Sequence, residues 1–207
     1  YSIGPVMDKK LLLIFAKNPV LTKVKTRLAA TIGDEKALYT YENLLKKTSE
    51  IIEGIDVHKS LYYSDYIEVK DVWENNVSDK KIQVGKTLGE KMENAFKEGF
   101  TQGFNKIIII GTDLWDIKEK DINQAFKALE RNAGVIGPAT DGGYYLLGLS
   151  EWIPEVFEDK KWGTSSVLKD TMQSFKNKKV FKLDYKNDID NYKDLCKFPQ
   201  LLKLLER

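Results

Sequence analysis

The chain is 207 residues long, 42% hydrophobic and 31% charged, and its 33 basic and 31 acidic residues leave a net charge of +2. This is the size and make-up of one folded domain with enough apolar residues to build a two-faced core. The balanced charge forms no basic stripe for nucleic acid, and no apolar run approaches the roughly 18 residues that span a bilayer, so neither a nucleic-acid partner nor a membrane span is expected.

The only cysteine, Cys196, has no partner for an internal disulfide. It lies in an apolar-periodic segment and reads as a small core residue, which fits a reducing, cytoplasmic setting. Residues 1–6 show neither periodicity nor the charged and apolar regions of a signal peptide. They read as an artificial extension or a loose arm, with the native chain starting at Met7 and a single domain over 7–207.

From there short apolar runs alternate with amphipathic segments, the pattern of βαβ units around a mostly parallel sheet. Residues 11–16 (Leu-Leu-Leu-Ile-Phe-Ala) are apolar on both faces and predict a buried central strand. A polar loop runs to about Thr26. A helix follows in which Leu38, Tyr41, Leu44, Leu45, Thr48, Ile51 and Ile52 recur at three and four. Strands are expected at 60–64 and 81–84. Thr87-Leu88-Gly89-Glu90 is a capping box, opening a helix with Met92, Ala95, Phe96, Gly99 and Phe100 on one face. Residues 106–111 form the most strand-like run of the chain. A helix at about 119–131, strands at 134–137 and 144–149, a helix from near Thr164, a strand at 180–183 and a helix after Asp190 complete the pattern.

Ligands of parallel α/β sheets bind at the carboxyl ends of the strands, which directs attention to three segments. Residues 17–27 place Lys17, Lys23, Lys25 and Arg27 around the mouth between the first strand and the coming helix. Such a cluster suits a polyphosphate, and Arg27, one of 3 arginines against 30 lysines, supplies the forked geometry that phosphate oxygens favour. A solvated basic loop is the competing reading. Gly111-Thr112-Asp113 sets a carboxylate just beyond a buried strand, where it serves either as a helix cap or as a hard oxygen ligand for Mg²⁺ or Mn²⁺. Asp141-Gly142-Gly143, after Gly137-Pro138-Ala139-Thr140, permits close backbone approach to a ligand or forms a hairpin turn. His58, the only histidine, sits near the start of an edge-like strand without a nucleophile motif around it, which argues against a triad.

Taken together, Phe15-Ala16-Lys17 and Pro19 with Lys25-Thr26-Arg27-Leu28, Leu88-Gly89-Glu90-Lys91-Met92, Gly111-Thr112-Asp113, the run from Gly137 through Leu149, and Trp162-Gly163-Thr164 resemble a bacterial and archaeal family of GT-A-fold proteins of unknown function. That family is the glycosyltransferase type associated with radical-SAM and selenodomain proteins, and the match in order and spacing runs from about residue 11 to 195. The resemblance implies a three-layer α/β/α fold with a mostly parallel mixed sheet, of the nucleotide-diphospho-sugar transferase kind. It implies a metal, Mg²⁺ or Mn²⁺, on Asp113, with Asp188 and Asp190 of the late Asp188-Ile189-Asp190 as further carboxylates. Asp190 as the cap of the last helix is the alternative. The nucleotide is expected against Ala16, Lys17, Pro19, Lys25, Arg27, Thr112, Gly142 and Gly143, and Asp141, Lys25 and Arg27 are the catalytic candidates. Asp141 would contact sugar or acceptor and serve as general base.

Two positions depart from the family pattern, Thr22 where Gly is usual and Trp115 where Pro is usual. The first stiffens the phosphate loop; the second either stacks on a base or walls off the pocket. The leading expectation is metal-dependent transfer from a nucleotide-diphosphate sugar to an unidentified small-molecule acceptor. Its rivals are a nucleotidyltransferase joining an NTP to a phosphorylated small molecule and a non-catalytic nucleotide-binding partner protein.

Overall fold

The computed structural model describes residues 8–206, so the reading of 1–6 as an extension and of Met7 as the start lies outside the described residues. The chain runs β1 (Lys10–Ala16), α1 (Thr26–Ile32), α2 (Asp34–Glu53), β2 (His58–Tyr63), β3 (Asp79–Ile82), α3 (Leu88–Thr101), β4 (Lys106–Ile110), α4 (Glu119–Ala128), β5 (Gly134–Pro138) and β6 (Tyr144–Leu149). A short 3₁₀ turn (Pro154–Val156), α5 (Val167–Ser174), β7 (Val180–Lys182), α6 (Tyr192–Leu195) and α7 (Pro199–Leu204) follow.

Among the described residues the strands form one seven-stranded sheet in the order β3-β2-β1-β4-β6-β5-β7, parallel throughout except for β6. Because side chains alternate along a strand, β1 and β4 feed both faces. Leu12, Ile14, Ile108 and Ile110 pack with α1, α2, α4, α6 and α7, while Leu11, Leu13, Ile107 and Ile109 pack with α3, the 3₁₀ turn and Phe175 beyond α5. The result is the expected α/β/α sandwich. No helix among the described residues is long and apolar enough to cross a membrane.

Several boundaries differ from expectation. The first helix is two: Gly33, at φ 87°, ends α1 and begins α2. Pro199 at the first turn of α7 divides the expected C-terminal helix. Cys196 is exposed beyond α6 instead of buried. His58 starts β2, which is covered by β3 and is not an edge, and its ring pairs with Asp79 at 2.7 Å.

The chain leaves β1 toward β2 and β3 on one side and returns to β4 on the other. The β1/β4 boundary is thus the topological switch point, where crossovers diverge and leave a crevice at the carboxyl edge. The antiparallel β6 begins at that same edge, since Ile110 near the end of β4 pairs with Leu146 near the start of β6. Beyond β7 the chain crosses the edge. Lys186 bridges to Ala139, and the Ile189 amide donates to the Asp113 carbonyl at 2.9 Å.

Candidate functional site

These crossovers bring the three sequence segments to one edge. Lys25 is the pivot of the arrangement. It caps α1 with a left-handed backbone (φ 51°, ψ 41°), and its ammonium donates to Asp113 Oδ1 at 2.5 Å and to the Ile189 carbonyl at 2.6 Å. Its side chain is only 6% exposed, whereas that of Asp113 is 51% exposed. Arg27, the second residue of α1, reaches Asp190 with Nη1–Oδ2 at 2.7 Å and remains open to solvent. Ion pairs of that exposed kind contribute little to stability, so the geometry matters more than its energy.

Both competing roles as helix caps fail. Lys118 precedes α4 and receives the Asp121 carboxylate on its amide, leaving Asp113 outside the cap, and Asn191 rather than Asp190 caps α6. Asp188 is partly buried between these groups. Burial, and then the charges of Asp113 and Asp141, push its carboxyl up to about 7, with Lys25 opposing.

Asp141-Gly142-Gly143 is a hairpin turn between β5 and β6, closed by Asp141 Oδ1 accepting from the Gly143 amide at 2.9 Å. Asp141 itself is exposed at the crevice edge. Gly142 gives close approach to the chain itself. At φ 92°, a Cβ on it would lie 2.3 Å from the Ser165 carbonyl, so the close contact is with the segment leading to α5. Gly143 meets no such obstacle from another segment. Gly89 is explained likewise, because its missing Cβ admits the indole of Trp162 and the Phe157 carbonyl; two of the matching motifs therefore meet in the core packing.

Thr112 lies just beyond β4, beside Asp113. It is buried, and its hydroxyl lies 3.2 Å from the hydroxyl of Tyr41. Ala16 is buried, its carbonyl accepting from Gln83; Lys17 is exposed, and Pro19 is half-buried. Two residues that matter to the edge carried no functional signal in the sequence. Tyr41 read as one of a row of apolar helix positions, yet its hydroxyl accepts from the Lys17 amide at 2.8 Å and donates to the Lys17 carbonyl at 3.1 Å. Burial, then the Asp113 charge, raises its phenol well above the ordinary value. Asn18 is buried and fixes the loop after β2, its Oδ1 accepting from the Asp65 amide at 3.0 Å and its Nδ2 donating to the Tyr66 carbonyl at 2.9 Å. An asparagine directly beyond a buried strand was its only mark.

Trp115 lines a hollow of about 500 Å³ together with Lys47, Lys118, Lys197 and Phe198, with the Lys47 ammonium 5.5 Å from the ring centre. None of residues 16–27, Asp113, Asp141 or 188–190 lines it. The indole thus faces a separate hollow.

The carboxylates of Asp113, Asp188 and Asp190 are hard donors that suit Mg²⁺ or Mn²⁺. Among the described residues no three His, Cys, Asp or Glu side chains are gathered closely enough to hold a metal alone. An ion held here by these carboxylates would complete its shell with water or with oxygens of a bound phosphate, as is usual for Mg²⁺.

Comparison with solved structures gives the same architecture. A candidate nucleotide-diphospho-sugar transferase from Desulfovibrio desulfuricans G20 is 25% identical with a TM-score of 0.84, covering 96% of this chain and 99% of its own. The fold is also that of 4-diphosphocytidyl-2C-methyl-D-erythritol synthase from Anaerococcus prevotii DSM 20548 (13% identity, TM-score 0.62, 95% and 99% covered). A nucleotidyl transferase from Methanothermobacter thermautotroptrophicus shares it as well (11% identity, TM-score 0.63, 95% and 99% covered). No curated protein shows significant similarity. Residues 57–164, more than half of the 207, match the profile of a family described as uncharacterized protein conserved in bacteria (DUF2064), and the chain belongs to that family.

Proposed function

We propose that the protein is a transferase that binds a nucleotide-diphosphate sugar in the crevice at the β1/β4 boundary and passes the sugar to a small-molecule acceptor. The observation that carries this reading is the meeting of the cationic loop after β1, Asp113 after β4 and the Asp141 turn before β6 at one carboxyl edge. Likeness to the Desulfovibrio protein supports the donor class.

In this reading Lys17 and Arg27 hold the diphosphate, and Asp113, with Asp188 and Asp190, holds the divalent ion. When bound, that ion neutralises charge developing on the departing diphosphate. Lys17 and Arg27 add fixed positive charge at the same oxygens, which favours bond breaking more than binding where charge grows in the transition state. Exposed Asp141, fixed by its turn, takes the acceptor hydroxyl proton. Attack of that oxygen on the sugar's anomeric carbon breaks its bond to the diphosphate, which leaves as a nucleoside diphosphate.

The test is thermal denaturation with a panel of nucleotide sugars and NTPs, with and without Mn²⁺. Metal-dependent stabilisation by a nucleotide sugar, lost in Asp113→Asn, is expected; no stabilisation by any compound removes the reading. The second reading, nucleotidyl transfer, is favoured by the placement of Lys25 and Arg27 on one mouth with Asp113, which would serve attack at an α-phosphate equally well. Pyrophosphate as the released product, in place of a nucleoside diphosphate, would establish it.

A further inference from the structure

Lys25 is a lysine held the way a metal ion is held. Its ammonium is nearly enclosed and contacts one carboxylate oxygen and one main-chain carbonyl, the two oxygen types that Mg²⁺ and Mn²⁺ take from proteins. The carbonyl is fixed for that contact by the neighbouring amide, since Ile189 N donates to the Asp113 carbonyl at 2.9 Å, and Asp188 and Asp190 flank it in the chain. The side chain reaches this position from a left-handed residue, at φ 51°, which non-glycine residues seldom adopt without compensation from their surroundings. A solvated phosphate-binding lysine would need none of these features.

We propose that Lys25 is an internal counter-ion that exchanges with the divalent metal. Without ligand its ammonium neutralises Asp113. When the metal binds, the ammonium is expelled from the carboxylate and becomes free to reach an anionic oxygen of the ligand. The physical reason is that two cations cannot share the one position between Asp113 Oδ1 and the Ile189 carbonyl without strong repulsion, so the metal takes that place only as the ammonium leaves it. The proposal rests on the reading that Asp113 holds a metal. It adds that Lys25 opposes the metal before any nucleotide is present, the opposite of a lysine that merely assists binding.

The experiment uses Mn²⁺ alone, without nucleotide. Free Mn²⁺ is measured by electron paramagnetic resonance with wild type, Lys25→Met and Lys25→Gln. Exchange predicts at least tenfold tighter Mn²⁺ binding in both variants. In parallel, wild type is acylated by a lysine-directed reagent and mapped by mass spectrometry. Mn²⁺ should raise labelling of Lys25 severalfold and leave unchanged that of Lys106, which pairs with Asp8. This second measurement needs no variant to fold. Equal or weaker Mn²⁺ affinity in the variants overturns the exchange, as does Lys25 labelling that Mn²⁺ leaves unmoved. Mn²⁺ binding to none of the three proteins removes the metal reading and the exchange with it. If no nucleotide sugar or NTP binds but the affinity still rises, the proposed transferase falls and the exchange stands.

Discussion

The hydroxyl of Tyr41 lies 3.2 Å from that of Thr112, joining α2 to the end of β4 across the switch point. The same oxygen accepts from the Lys17 amide and donates to its carbonyl, so one side chain ties together the ends of the two strands that border the crevice. Removing one partner from a buried polar network costs more than the net worth of a single hydrogen bond, because the groups left behind lose solvation without replacement. Tyr41→Phe should therefore lower unfolding free energy by about 1–2 kcal/mol in urea denaturation. A loss under about 0.5 kcal/mol would mean that water takes the hydroxyl's place.

Thr22 carries φ 68° in the loop expected to face phosphate, a value that a β-branched residue adopts only under strain. Relief of that strain is worth about 1–2 kcal/mol, against about 0.5–1 kcal/mol for the greater freedom of glycine when unfolded. Thr22→Gly should thus stabilise the protein by about 0.5–1 kcal/mol, read as a higher denaturation midpoint at unchanged slope. Unchanged or lower stability would show that the threonine side chain makes good the strain.

Gly142→Ala should do the reverse. Its methyl would press on the Ser165 backbone, 2.3 Å away, at a residue that is also left-handed, and the Leu168 amide bonded to the Gly142 carbonyl would be displaced with it. A loss of about 2–3 kcal/mol is expected. Hydrogen exchange should locate it in the turn and the start of α5. Exchange uniform over the whole sheet would be the wrong outcome.

Asp188 predicts a pH dependence. Its carboxyl ionises near 7 in the folded protein and near 4 when unfolded, so folding disfavours the charged form. Stability from this group is complete below about pH 4 and declines as pH rises through about 7. Between those values the melting temperature of wild type should fall relative to that of Asp188→Asn, measured in chelator. Parallel profiles for the two proteins would refute the assignment.

Much of the fold was legible because the central strands are buried on both faces and the helices are amphipathic. The four isoleucines of β4 and the capping signature at Thr87, whose hydroxyl accepts from the Glu90 amide, admit few other readings. The edge was harder: β3 is Asp-Lys-Lys-Ile, partly exposed, and begins two residues before the expected start because its pairing with β2 fixes it more than its own pattern does. The division of the first helix at Gly33 was not legible because α1, seven residues with one fully buried side chain, carries no period of its own. In the site, residue types were readable and partners were not. Lys25 was expected on phosphate, and its protein contacts lie 88 and 164 residues away, where only the crossover of the chain brings them to it. Gly142 was recognisable as a glycine that something must approach closely, but the approaching group, Ser165, belongs to a segment with no pairing signal of its own.

The crossing of residues 186–190 over the sheet edge also has a temporal meaning. Arg27 and Asp190 are separated by 163 residues, so the cations of the loop after β1 and Asp113 emerge from the ribosome well before the segment that encloses them. Domains generally fold as units, and the partners that this segment gives to Lys25 and Arg27 are synthesised last. Until it docks, Lys25 lacks its carbonyl and Arg27 its carboxylate. In the proposed reading the crevice is therefore complete only once the last crossing of the chain has docked.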